Sequence, residues 1–233
     1  MSSYILQPGD ILPTEKFVVI SSASDSFSYI SYEDLDAKSI GEYLPIPIGS
    51  VEYVQKYFEV MNITCPKPIN YPKSLQKYLN RNVWSSVFGE VEDHLFVKPK
   101  ENKSFTGDIK SELELEIHSD TSVWVSDPVE FTSEFRFYVL ENKILGYSQY
   151  DDGPNDTIDV SKVNQIVQDY KDSPIGYSLD VGHTKDADLL LVEVNDGWSL
   201  GYYPWGTCSK DSYLNLIENR WQEITIPYRL RKD

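Results

Sequence analysis

Only two cysteines occur in the 233 residues, Cys65 and Cys208, far apart and without a CxxC spacing or a histidine neighbour. That excludes a disulfide scaffold and a zinc site, and fits a reducing compartment. Basic residues are also scarce. Lys and Arg number 21 against 37 Asp and Glu, for a formal net charge of −16. A nonspecific binder of nucleic-acid backbones needs a basic footprint, so no nucleic-acid partner is expected. A small basic pocket inside an acidic shell stays compatible with this balance. No apolar run approaches the length of a membrane span, and the opening stretch MSSYILQPGDIL has neither a basic n-region nor an apolar h-region. The expectation is a soluble, cytoplasmic protein with no membrane partner. Internal repeats and low-complexity tracts are absent.

What is present suffices for a core. Hydrophobic residues make up 40% and aromatics 13%, with 17 tyrosines suited to broad, half-buried sheets. The length suits one large domain or two small ones. In the first part, FVVIS from Phe17 to Ser21 reads as a buried strand. Ser50 is placed to cap a helix over Val51 to Met61, with Val51, Val54, Tyr57, Phe58 and Met61 on one face. The prolines at 66, 68 and 72 mark a boundary, and a short helix over Lys73 to Leu79 follows. Strands are then expected at Val83–Phe88, His94–Lys100, Glu112–His118 and Ser122–Val125. A hairpin joins Glu134–Leu140 to Lys143–Tyr150, with Glu134, Arg136 and Tyr138 opposite Gln149, Tyr147 and Leu145. Asp159 caps a helix over Val160 to Tyr170, and a last helix covers Lys210 to Trp221.

The most informative stretch is a second hairpin, Ile175–Val181 with Leu189–Val194, closing near Asp186. Strand parity places Leu189, Leu191, Glu193 and Asn195 on one face, and the pairing puts Asp180 opposite Glu193. Two carboxylates and an amide then share one surface, a set of hard oxygen donors suited to Mg²⁺ with phosphate and water. Acidic residues alternating on a strand are more commonly a solvated face. Against that, Glu193 is set among Leu189–Val192 and Val194, where an unpaired carboxylate is costly.

Three cations complete the pattern. Lys98 and Lys100 share a strand face ahead of the polar loop ENKSFTG, and suit a polyphosphate as point charges; two exposed lysines at a strand end are the plainer alternative. Pro99 between them points to a strand end or edge. Arg136 lies in a strand otherwise made of Phe135, Phe137, Tyr138 and Val139, where Arg is rarely buried unpaired. It serves either a bridge to Glu134 or Glu130, or a phosphate.

The order of these pieces resembles the ATP-grasp superfamily, and more closely its small clade named for one arginine and two lysines. The matching stretches are RNVW from Arg81, FVKPKENKSFTG from Phe96, VWVSDPVEFTSEFRFYVLENKILGYSQY from Val123 and LDVGHTKDADLLLVEVNDGWSLGYY from Leu179. They span roughly residues 75 to 233; order and spacing together carry the resemblance. It implies an α+β chain: a small N-terminal pre-ATP-grasp domain (1–75) before an ATP-grasp domain (76–233), whose subdomains, about 76–127 and 128–233, clasp ATP. It also implies site roles. Lys98 and Lys100 would contact ATP phosphates, supported by Arg81. Asp127 and Val129 would read adenine through their backbones, and Glu134 would hold the ribose. Asp180, Glu193 and Asn195 would bind Mg²⁺, while Arg136, with Lys100, would serve the transferred phosphoryl group. The implied activity is ATP- and Mg²⁺-dependent joining of a carboxylate to an amine through an acyl phosphate, on small-molecule or peptide substrates. Two features depart from the pattern. Larger relatives carry an Arg two residues before the metal-binding Asp, where this chain has Ser178, and the phosphate loop has Gly107 alone. A non-catalytic nucleotide-binding module, or a nucleotidyl transferase joining nucleic-acid ends, are the rival readings.

Overall fold

Short apolar tripeptides build the N-terminal sheet. Tyr4–Leu6 (β1) is wholly buried and pairs in parallel with Phe27–Tyr29 (β2) on one side and Ile46–Ile48 (β3) on the other. The structure is a computed structural model describing residues 3–22, 26–41, 43–101, 104–153, 156–186 and 188–230; Asn102 and Lys103 of the ENKSFTG loop lie outside this set. Parallel strands need a crossover, and between β1 and β2 it is the helix Pro13–Ser22 (α1). The expected strand over Phe17–Ser21 is therefore a helix. Pro13 occupies the first helical position, where its fixed φ and missing N–H cost nothing. Val18 and Val19 are buried while Phe17 and Ile20 are exposed, a helical and not an alternating pattern. A one-turn helix, Ala37–Ile40 (α2), is held by an Asp36/Ser39 capping box. Ser50 caps Val51–Val60 (α3) by accepting from Tyr53 N at 3.2 Å. Val54, Tyr57, Phe58 and Met61 are buried as expected, together with Tyr53.

After the prolines and a 3-10 helix at Lys73–Tyr78 come four antiparallel strands: Val83–Val87 (β4), Phe96–Pro99 (β5), Asp108–Ile109 (β6) and Ser122–Ser126 (β7), ordered β4-β7-β5-β6. Val97, Val123 and Val125 bury one face, so Lys98 lies on the other, beside Trp124. Glu112–His118 forms no strand. The edge of β5 is taken by β6, and Leu115 stays exposed despite its alternating neighbours.

The third sheet is antiparallel, in the order β11-β10-β8-β9, from Phe131–Leu140 (β8), Lys143–Gln149 (β9), Gly176–Thr184 (β10) and Leu189–Asp196 (β11). Phe135, Phe137, Val139, Tyr177, Leu179 and Val181 bury one face against Val160–Asp169 (α4) and the 3-10 helix. The other face meets Lys210–Arg229 (α5), which runs past the expected end at Trp221 and through Pro227. No helix among the described residues is long and apolar enough to cross a membrane.

Two one-residue bulges decide which side chains face the site. In the first hairpin the turn residues Glu141 and Asn142 both have positive φ, as a tight two-residue connection requires. Val139 then pairs with Ile144 but Tyr138 with Gly146, so Leu145 is the extra residue. Arg136 thus opposes Ser148, not Tyr147; Tyr147 stacks on Phe137 on the far face, with centroids 4.9 Å apart. Gly146 is needed here, since a Cβ would lie 2.4 Å from the backbone N of Cys208. In the second hairpin Asp180 pairs with Glu193, as expected, but Val181 pairs with Leu191, leaving Val192 as the bulge. The simple parity of 189, 191, 193 and 195 therefore fails. Leu191 and Val194 enter the core, while Glu193 and Asn195 stand on the face that carries Asp180.

Candidate active site

Five of the singled-out residues form one connected row. Arg136 and Asp180 face each other directly across β8 and β10. The guanidinium grips the carboxylate with two hydrogen bonds, Nε to Oδ1 at 3.0 Å and Nη2 to Oδ2 at 2.7 Å. Asp180 is only 1% exposed. Asn195 Nδ2 donates to Asp180 Oδ2 at 3.1 Å and to Glu193 Oε1 at 2.8 Å. Glu193 pairs through Oε2 with Lys98 Nζ, which reaches over from the sheet of β5. Ser178, where an arginine was expected by resemblance, is buried and donates weakly to Asp180 Oδ1 at 3.4 Å.

The row is charge-balanced: two carboxylates, one amide and two cations. Burial would push the Glu193 carboxyl up, but Lys98 and the Asn195 amide outweigh it and hold it below the usual carboxylate range. Burial likewise works against the Lys98 ammonium, and Glu193 reverses this, raising it. Arg136 is held more firmly charged by Asp180 in the same way. The rings of Tyr150 and Tyr203 lie 5.6 and 5.3 Å from the guanidinium and stack on each other nearly parallel. The Glu134 side chain, on the same strand, accepts at Oε2 from Tyr150 Oη at 2.5 Å, while its backbone N donates to Asp151 Oδ1 at 2.9 Å. Its carboxyl is raised, first by burial and further by the nearby Asp180, Asp151 and Glu193.

Lys100 lines one cavity, of about 580 Å³, with Lys98, Gly107, Glu193 and Asn195. Its Nζ donates to Ser85 Oγ at 2.9 Å and lies 5.4 Å from the Trp124 ring. The remaining candidates stand apart from the row. Arg81 donates to the carbonyls of Leu79, Leu191 and Val192 at 2.9 to 3.2 Å, and so braces the β11 bulge; burial lowers its pKa. Asp127 accepts from both Asn82 N and Nδ2, at 3.0 and 2.8 Å, and Val129 is half-buried beyond it.

The donor set suits a hard divalent cation. The polar heads of Asp180, Glu193 and Asn195 meet at one amide, and a half-turn of that amide presents its oxygen beside the carboxylates. Among the described residues no three His, Cys, Asp or Glu side chains converge, so the amide is a necessary member.

Sequence reasoning did not find Tyr150 and Tyr203, which flank Arg136, nor Tyr71, whose ring lies 4.8 Å from Lys98 Nζ. The GYY stretch at 201–203 closes one of the matching segments but carries no sign of its partner.

Two sheets facing each other across paired lysines and a carboxylate–amide set define an ATP-grasp fold. The chain belongs to the ATP-grasp domain family, within the clade named for one arginine and two lysines; the model of that clade's family 2 matches residues 78–216. Its structure resembles D-alanine–D-alanine ligase from Bacillus anthracis (TM-score 0.57, 15% identity, all of both chains covered). It also resembles the corresponding ligase from Coxiella burnetii (0.55, 13%, 100% and 99% covered) and the D-cycloserine synthetase DcsG (0.53, 10%, 96% and 100% covered). No curated protein matches the chain in sequence.

Proposed function

We propose that this chain is an ATP- and Mg²⁺-dependent ligase that joins a carboxylate to an amine through an acyl phosphate. The observation that carries the reading is the row Lys98–Glu193–Asn195–Asp180–Arg136 between two sheets. Its cations and carboxylates compensate each other, and a phosphate chain with its counter-cation can enter between them without leaving a charge unpaired.

Asp180, Glu193 and Asn195 would hold Mg²⁺, which when bound supplies positive charge to the phosphate oxygens. Lys98 and Lys100 bind the phosphates, and Lys100 stays beside the transferring group. Arg81, by bracing β11, supports the nucleotide pocket indirectly. The backbones of Asp127 and Val129 read adenine, and Glu134 takes the ribose hydroxyls. Arg136 stabilises the transferring phosphoryl group. A carboxylate oxygen attacks the γ-phosphorus, the β–γ bridging bond breaks, and ADP leaves. An amine then attacks the acyl carbon, loses a proton, and expels phosphate. Positioning and charge supply the rate. Residues 1–75 make the pre-ATP-grasp domain and 76–233 the ATP-grasp domain.

The test is the nucleotide product. With labelled ATP, Mg²⁺ and mixed acids and amines, ADP that depends on both additions supports the ligase. AMP, or a covalent adduct on Lys98 or Lys100, replaces it with nucleotidyl transfer. Tight ATP binding without turnover favours a non-catalytic module, the reading to which Ser178 lends weight.

A further inference from the structure

A second cavity, of about 330 Å³, lies between α1, the β3–α3 junction and the loop after β11. It is lined by apolar side chains, among them Leu12, Ile46, Val54 and Leu200, and by two charged ones, Glu15 and Arg136. Glu15 is 7% exposed. Among the described residues its one hydrogen bond is from Tyr202 N to Oε1, at 2.7 Å, and no basic side chain pairs with it. A buried carboxylate held by one neutral donor lacks most of its compensation.

Arg136 contributes the complementary group. Asp180 engages its Nε and Nη2, so Nη1 is left facing this cavity. A Cβ placed on Gly201 would sit 3.5 Å from Arg136 Nη1 and 3.5 Å from Glu15 Oε1. The two charges thus flank one small gap, with the row of Asp180 and Glu193 directly behind Arg136.

The geometry points to a free apolar α-amino acid in this cavity, its ammonium on Glu15 and its carboxylate on Arg136 Nη1. This rests on the ligase reading for its consequence: the amino acid is the acyl donor. An ammonium paired with a buried carboxylate keeps its proton and cannot attack, whereas its carboxylate lies beside the group that stabilises phosphoryl transfer. A peptide does not fit the pattern, because its amine and its terminal carboxylate are too far apart to span one gap. The apolar walls select the side chain.

The test uses the full chain, a panel of free L- and D-amino acids, and for each its N-acetyl and des-amino counterparts. Binding is read by calorimetry and turnover by ADP release. The expected result is at least one free amino acid that binds and drives ADP release, with KM on the order of 10- to 100-fold below that of its blocked or des-amino forms. Glu15→Gln, which keeps an acceptor for Tyr202 N, should abolish that preference while ATP affinity is unchanged. Gly201→Ala places a methyl at ordinary contact distance in the gap, so the fold is kept and amino-acid affinity falls. ADP release with des-amino or blocked acids as good as the amino acids overturns the assignment and leaves the ligase reading standing. Amino-acid binding that is lost in Glu15→Gln, but with no ADP under any condition, keeps the cavity and overturns the ligase. No amino-acid binding at all overturns the cavity assignment.

Discussion

Two buried arginine–aspartate pairs flank the C-terminal half of β11, built alike. Arg136 grips Asp180, and Arg220 of α5 grips Asp196, each through Nε and Nη2. They differ at the third nitrogen. Arg220 Nη1 donates to Glu223 at 2.6 Å, and Glu223 also accepts from Ile175 N at 3.0 Å. Every nitrogen of that guanidinium is engaged, and the pair fastens α5 to the sheet. Arg136 Nη1 faces a cavity, and Asp180 shares an amide with a second ion pair. The same chemistry therefore acts as a fastener where all three guanidinium nitrogens are engaged, and as a receptor where one is left open.

The comparison breaks most sharply at the fastener. Arg220→Met leaves Asp196 buried without its cation, and should cost about 3–5 kcal/mol in a urea titration. A loss under about 1 kcal/mol would mean that α5 is held by its apolar contacts alone.

At the receptor the expected loss is in rate. Arg136→Lys keeps a cation near Asp180 but removes the fork, and turnover should fall on the order of 100-fold with ATP affinity nearly kept. Equal losses in both would make Arg136 a ground-state contact. Glu193→Gln removes one anionic ligand, and Mg²⁺-ATP affinity should weaken by roughly 1–3 kcal/mol by calorimetry. Unchanged affinity there ends the metal assignment.

The smallest effect is in acid. Glu193's folded pKa is depressed, so its pairing with Lys98 contributes stability that is complete above the ordinary value of 4.5 and is lost as pH falls further, towards the folded value. The double variant Lys98→Met/Glu193→Gln should flatten the stability profile below pH 4.5 and leave the neutral region's slope unchanged. An unchanged acid limb would show that the pair is not what titrates.

Much of this was legible beforehand, for identifiable reasons. Ser50 and Asp159 announced helices because side-chain capping is local chemistry. Asp180 opposite Glu193 followed from pairing alone. Glu193 and Arg136, charged residues set in apolar strands, stood out by their cost. What escaped was what depends on neighbours far along the chain. Phe17–Ser21 has an apolar run that suits either element; only the parallel pairing of β1 and β2 makes it a crossover helix. The alternation in Glu112–His118 had no strand to meet. Arg81 donates to three backbone carbonyls, which carry no sequence signal. Val192 and Leu145 are ordinary residues, and nothing in their identity marks them as the extra ones.

Val192 behaves as a dislocation does in a lattice: order is regular on both sides and the misfit is confined to one place. The apolar segment before it and the polar segment after it are thereby uncoupled, so either can change composition without forcing the other to change face. Any grafting of this strand into another scaffold must carry the misfit along. Transplanting 193–195 in unbroken alternation with 189–191 would turn Glu193 and Asn195 towards the packed layer and present Val194 in their stead.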